Sequence, residues 1–353
     1  MDGALTTAEP RREPTGLINV GRPFVSPAFD YLFIGGVLSI AVGVVVFAGG
    51  LNAQLDNRLW YMALFANSAH FAASTVRLYT KRGAYRRWPV LTAGFPLAVL
   101  GVLALALAAE PVTRGLFALY LIWSAFHYAA QAYGLSVMYA YRSGCELDTG
   151  ERWLLRGASL VPFAFALVSP QTALVLVLPS AVLAHPVVAD GQAYLTLVLW
   201  ALVFVTPILA FARLARRGVV LPAISVLVLY ANAVWWTFFT FFDAFAWATV
   251  FHGLQYLAIV MIFHVKDEMR LPDNRHGRAY HAAWFYAVAL AGGWALFIAW
   301  PHSLGWLGFD FARSVMITAA LVNIHHFVVD AYIWKLRRDP NYQTVVDAVP
   351  VQA

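Results

Sequence analysis

The sequence predicts an all-α polytopic membrane protein, a bundle of about ten transmembrane helices with both termini in the cytoplasm. Two observations carry that fold class. First, 61% of the 353 residues are hydrophobic and only 12% are charged, with a mean hydropathy of +0.68, too little charge to cover a soluble domain. Second, the apolar residues gather into runs close to the ~20 residues that cross a hydrocarbon layer of about 30 Å, and basic residues concentrate in alternate loops.

Residues 1–28 form an N-terminal segment with acidic residues and proline ahead of any apolar run. They lack the basic-then-apolar pattern of a cleaved signal. A single membrane domain spans 29–336. Its apolar runs lie at 29–50, 59–78, 89–109, 115–141, 153–177, 193–213, 219–241, 243–265, 280–300 and 310–334. Pro162 and Pro170 interrupt the fifth run, which predicts a kink. The seventh and eighth are separated only by the FFDAF around Asp243, which predicts a tight hairpin. Trp235, Trp236, Phe238, Phe239, Phe241 and Phe242 cluster there and read as an interfacial aromatic belt, or as a wall for a long polyene. Residues 337–353 are a C-terminal tail.

All Lys and Arg except Arg58, Arg114 and Arg313 precede the first run or follow an even-numbered one. The positive-inside rule places those loops in the cytoplasm, which suits the inner membrane of a bacterium. The same placement beside anionic lipid accounts for the net charge of +6 without a nucleic-acid partner. Cys145 is the only cysteine, which excludes a disulfide framework or a thiolate metal cluster within one chain.

Four of the runs carry a histidine with polar companions at helical spacing. Asn67 and Ser74 flank His70, Ser124 and Gln131 flank His127, Gln255 follows His252, and Asn323 and Asp330 flank His326. Residues three or four apart share a helix face, so each helix presents an imidazole within a polar stripe. Each histidine lies nine to thirteen residues from the nearest charge on the other face, about 13 to 20 Å deep. Polar groups at that depth are costly unless something binds them.

Imidazole is the commonest nitrogen ligand for iron, copper and zinc. His70, His127, His252 and His326 are therefore the predicted metal ligands. Asp330, Gln131 and Gln255 are the expected catalytic or orienting partners, with Asp330 also a candidate ligand. His325, beside His326, is an alternative cofactor-binding residue, but the spacings to Asp330 and Asn323 favour His326. Fe(II) suits this set, with dioxygen and a hydrophobic small molecule taken from the lipid bilayer; zinc hydrolysis lacks a separate general base. A haem held by opposed histidines in an electron-transfer subunit, or a transporter whose path the stripes line, are the alternatives. His264 reads as interfacial, and His185, His276, His281 and His302 as solvated.

These cassettes resemble the Brp/Blh family of membrane β-carotene 15,15'-dioxygenases. His325 to Asp330 matches the spacing of the family's final-helix element, His127-Tyr-Ala-Ala-Gln resembles an early element with Gln for an acid, and His70 takes the place of the first. Tyr256 follows His252 where the family carries a second histidine. The resemblance covers short stretches of four helices and implies iron and the oxidative cleavage of a carotenoid.

Overall fold

A computed structural model of the protein describes residues 19–48, 63–81, 83–169, 174, 177–237 and 241–334. The expected segment before residue 19, the tail after 334, Arg58, Pro170, Phe238 and Phe239 lie outside the described residues. Among the described residues all regular structure is helical. Helices α1 (Pro27–Ile34) and α2 (Val37–Ala48) meet at a 58° bend. The bend holds Gly36 at a φ of +87°, where a side chain would also strike Ala231.

A π-helical turn, Ala63–Ser68, leads into α3, Ala69–Thr80. Next come α4 (Val90–Ala108), α5 (Glu110–Arg142), α6 (Thr149–Val168) and α7 (Pro186–Arg216). The chain continues through α8 (Ala223–Thr237), α9 (Phe241–Met269), α10 (Arg278–Trp306) and α11 (Phe311–Ile333). Helix α6 is continuous through Pro162.

Among the described residues, five helices are long and apolar enough to cross a membrane: α4, α7, α9, α10 and α11. The bent pair α1 and α2 makes a sixth if counted as one span. The sequence predicts about ten, and the other helices fall short of that length and composition for identifiable reasons. Helix α5 has the length, 33 residues, but Glu110, Arg114, His127 and Gln131 dilute its apolar character. The first turns of α6 hold Glu151, Arg152 and Arg156, the continuous helical stretch 63–80 holds Asn67, His70 and Arg77, and α8 is described over 15 residues.

Residues 23–30 are tied down by one buried carboxylate. Asp30 accepts from the backbone N–H groups of Phe24 at 2.5 Å, Val25 at 3.1 Å and Ser26 at 3.3 Å, and from the Tyr139 hydroxyl at 2.8 Å. Arg142 donates to the Pro23 carbonyl and covers the Phe24 ring, so residues 23–30 lie against the end of α5. At the start of α6, Asp148 and Glu151 form a capping box that Arg217 bridges to the end of α7. The Glu151 backbone N–H, and next to it Arg217 and Arg213, hold the Asp148 carboxyl below its usual value.

Helix α3 packs against α9, α10 and α11, and α5 packs against α11 and α9. Two glycines permit the closest of these approaches. A Cβ on Gly293 of α10 would stand 2.6 Å from the Ser68 carbonyl, and one on Gly253 of α9 would stand 3.1 Å from that of Ala66. The turn leading into α3 therefore rests directly on two helix backbones. Gly293→Ala is expected to cost about 1–3 kcal/mol through forced separation, seen as a lower unfolding temperature; an unchanged melt would mean the contact is looser than described.

Trp235 and Trp236 correct one expectation. Both are buried, with Trp235 donating to the Ser39 hydroxyl at 3.0 Å and Trp236 stacked near Tyr128. They are core residues of α8, not an interfacial belt, because α8 lies between α2, α5 and α9 rather than at the bundle's rim.

Candidate metal centre

Four imidazoles from four helices meet in the core: His70 on α3, His127 on α5, His252 on α9 and His326 on α11. One ring nitrogen from each lies within 4.8 Å of all the others, and His70, His252 and His326 have no solvent exposure. The rings stand nearly perpendicular, at 84° for His70 and His326 and 77° for His127 and His326. Phe71 and Phe327 close against them.

The hydrogen bonds fix two of the tautomers. His70 Nδ1 lies 3.0 Å from the Asn67 carbonyl, which can only accept, so Nδ1 carries the proton and Nε2 is a bare lone pair. The Ser74 hydroxyl gives its hydrogen to the Phe71 carbonyl at 3.0 Å and so accepts from His326 Nδ1 at 3.0 Å. His326 Nε2 is therefore also bare.

Those two lone pairs face each other at 3.0 Å, with His127 Nε2 only 3.2 Å from His326 Nε2. Bare nitrogens at that distance repel unless a cation lies among them. Nitrogens held at about 2.1 Å from one ion, at angles of about 90° to 110°, stand roughly 3.0 to 3.4 Å apart. The separations around His326 fit that range. Both ring nitrogens of His252 are buried without a hydrogen-bond partner among the described residues, an arrangement costing about 1–3 kcal/mol per group unless a ligand satisfies it. The four histidines could thus hold a metal ion.

Asp330 stands at the edge of the tetrad. Its Oδ2 is 3.4 Å from His326 Nε2 and 3.7 Å from His127 Nε2, while Oδ1 accepts from the Tyr256 hydroxyl at 2.5 Å. Tyr256, which the sequence marks only as a departure from the resembled family, is thus in direct contact with the group. Ser74 lies one turn from His70 but serves His326 on the neighbouring helix. Ser74→Ala removes the acceptor that fixes the His326 tautomer, and is expected to weaken metal affinity about 10- to 100-fold without lowering helix content. Competition against a coloured chelator measures this, and unchanged affinity would remove Ser74 from the site.

The two glutamines sit differently from expectation. Gln255 donates to the Ile34 carbonyl at 2.8 Å, and Gln131 reaches the His252 carbonyl at 3.4 Å and the Gln255 side chain at 3.5 Å. They brace backbones rather than imidazoles. His325 points away from the tetrad and stacks on Phe95 at 5.5 Å. His264 is buried beside Trp284 and Phe285, and His281 is buried with its Nε2 2.8 Å from the Asn274 side-chain oxygen. Neither is the surface residue that its place near a loop suggested, because α9 and α10 pack side by side down to their connecting turn.

A cavity of about 320 Å³ opens beside the tetrad between α5, α9 and α11. His127, Asp330 and Tyr256 supply polar groups, and Trp123, Phe327 and Trp334 supply apolar walls. Ala130 and Ala331, both exposed, lie at its margin on α5 and α11.

Fold and site together define a helical protein, with several helices apolar enough for a membrane, built around a buried four-histidine group. No protein-family model, curated protein or solved structure matches the chain.

Proposed function

We propose that the tetrad binds one iron ion and that the protein is a membrane-embedded oxygenase acting on a hydrophobic molecule taken from the bilayer. The observation that carries this reading is the pair of bare nitrogens facing each other at 3.0 Å beside an apolar cavity. Iron held by neutral imidazoles supplies dioxygen chemistry.

The chain's own residues do the rest. The Asn67 carbonyl and the Ser74 hydroxyl keep the nitrogens of His70 and His326 bare. Tyr256 holds its proton against Asp330 Oδ1, which leaves Oδ2 turned toward the imidazoles and available to take or return a proton where a substrate would lie. Phe327, Trp123 and Trp334 keep water from that surface. An extended apolar chain fits the walls, and the resemblance to the Brp/Blh family makes a carotenoid the first substrate to test.

Nitrogens 3.0 and 3.2 Å apart on perpendicular rings favour a bare ion over haem, since they leave no gap for a macrocycle. The distribution of Lys and Arg supports a bacterial inner membrane with both termini cytoplasmic.

Expression in a carotene-accumulating bacterial host tests the reading. Loss of colour with an aldehyde product, abolished by His127→Ala, is expected. Bound iron with no loss of colour would reject carotene, and a Soret band in the purified protein would replace the oxygenase with a haem protein.

A further inference from the structure

A second cavity, of about 570 Å³, lies away from the tetrad between the end of α3, the short helix Ala84–Arg87, the end of α9 and the start of α10. Its chemistry differs from that of the first. Arg77, Lys81 and Arg87 bring three cations to it, against the carboxylates Asp267 and Glu268. Asp267 is engaged by Arg77, with Nη2 to Oδ2 at 3.2 Å. His264 also lines the cavity, is 4% exposed, and its Nε2 has no hydrogen-bond partner among the described residues. Trp88 and Trp284 are aromatic walls.

Arg77 is held in place before any ligand arrives. It is 1% exposed, with its guanidinium 5.5 Å from the Phe263 ring and 5.4 Å from the Trp334 ring. A guanidinium fixed on two rings and one carboxylate loses little freedom when it meets a further anion. A buried imidazole with an unused nitrogen supplies a neutral donor or acceptor beside it. Lys81 and Arg87, nearer the surface, add further positive charge, with the Arg87 guanidinium over the Trp88 ring at 4.8 Å, and indole walls suit the zone where hydrocarbon gives way to headgroups.

We propose that this cavity is a binding site for a phosphate group, carried by a lipid headgroup or free in solution. It goes beyond the oxygenase reading and does not depend on it. Arg77 is the fixed anchor, Lys81 and Arg87 close over the phosphate oxygens, and His264 Nε2 completes the shell.

The full-length protein in dodecyl maltoside gives the test, read by thermal unfolding. Dioleoyl phosphatidic acid is one probe and inorganic phosphate the other. Arg77 stays in place because its loss would leave Asp267 uncompensated; the variant is Lys81→Gln with Arg87→Gln. A control, Arg216→Gln with Arg275→Gln, removes equal charge outside the cavity.

A rise of about 3 °C or more with phosphatidic acid is expected in wild type and control, and its loss in the cavity variant. A rise with the lipid alone identifies a headgroup site. A rise with both probes identifies the phosphate itself. No rise with either, or an equal loss in the control, would overturn the proposal.

Discussion

Protein carrying His326→Ala is expected to retain less than about a tenth of the metal that wild type holds after gel filtration, whereas His325→Ala should retain all of it. The two residues are neighbours on α11, but they face different surroundings. His326 Nε2 is 3.0 Å from His70 Nε2 and 3.2 Å from His127 Nε2, and His325 lies on Phe95. Losing an outer partner of a ligand costs about 10- to 100-fold in affinity, and losing the central ligand should exceed that. Elemental analysis of both variants decides the matter, and equal metal in the two would remove the tetrad as the binding site. Stripping the metal should reverse one sign. Chelator-treated His252→Leu is expected to unfold at or above the temperature of chelator-treated wild type, because the exchange removes a buried ring whose two nitrogens lack partners.

The second large effect belongs to Asp30. Its carboxylate accepts from three backbone N–H groups and one hydroxyl, with no solvent exposure. Asp30→Ala leaves two buried donors, the Phe24 N–H and the Tyr139 hydroxyl, unanswered and exposes the other two to weaker partners, and about 3–5 kcal/mol of stability should be lost. Asp30→Asn keeps one accepting oxygen and should lose less. Chemical or thermal unfolding in detergent reads the order wild type, Asn, Ala. Equal stability of all three would mean that residues 23–30 contribute little to the packed state.

Much of the site was legible in the sequence because helical spacing reports which side chains share a face. The spacings to Asn323 and Asp330 chose His326 over His325, and the structure seats His326 among the other three imidazoles. Spacing does not report which neighbouring helix that face meets. Spacing therefore pairs Ser74 with His70, one turn away, although it serves His326 across a helix boundary, and pairs Gln255 with His252 although it bonds to α1. Tyr256 was recognised only as a departure from a pattern, because nothing local signals that a tyrosine will meet Asp330, 74 residues further on. A related ambiguity affects the span count. Groups that turn inward on α5 lower its hydropathy as much as groups that face water would, so composition alone cannot tell an inward polar stripe from a wet one. Nearness to a loop misplaces His264 and His281 because it is a one-dimensional measure that ignores how far two packed helices extend.

Helix α5 has 33 residues, a rod of about 50 Å. His127 lies near its middle, far from either end. One end is moored by Glu110 and Thr113 to Arg313 of α11, the other by Arg142 to Pro23. Strain applied at the ends of that rod would load those moorings first, with the imidazoles sheltered at its midpoint.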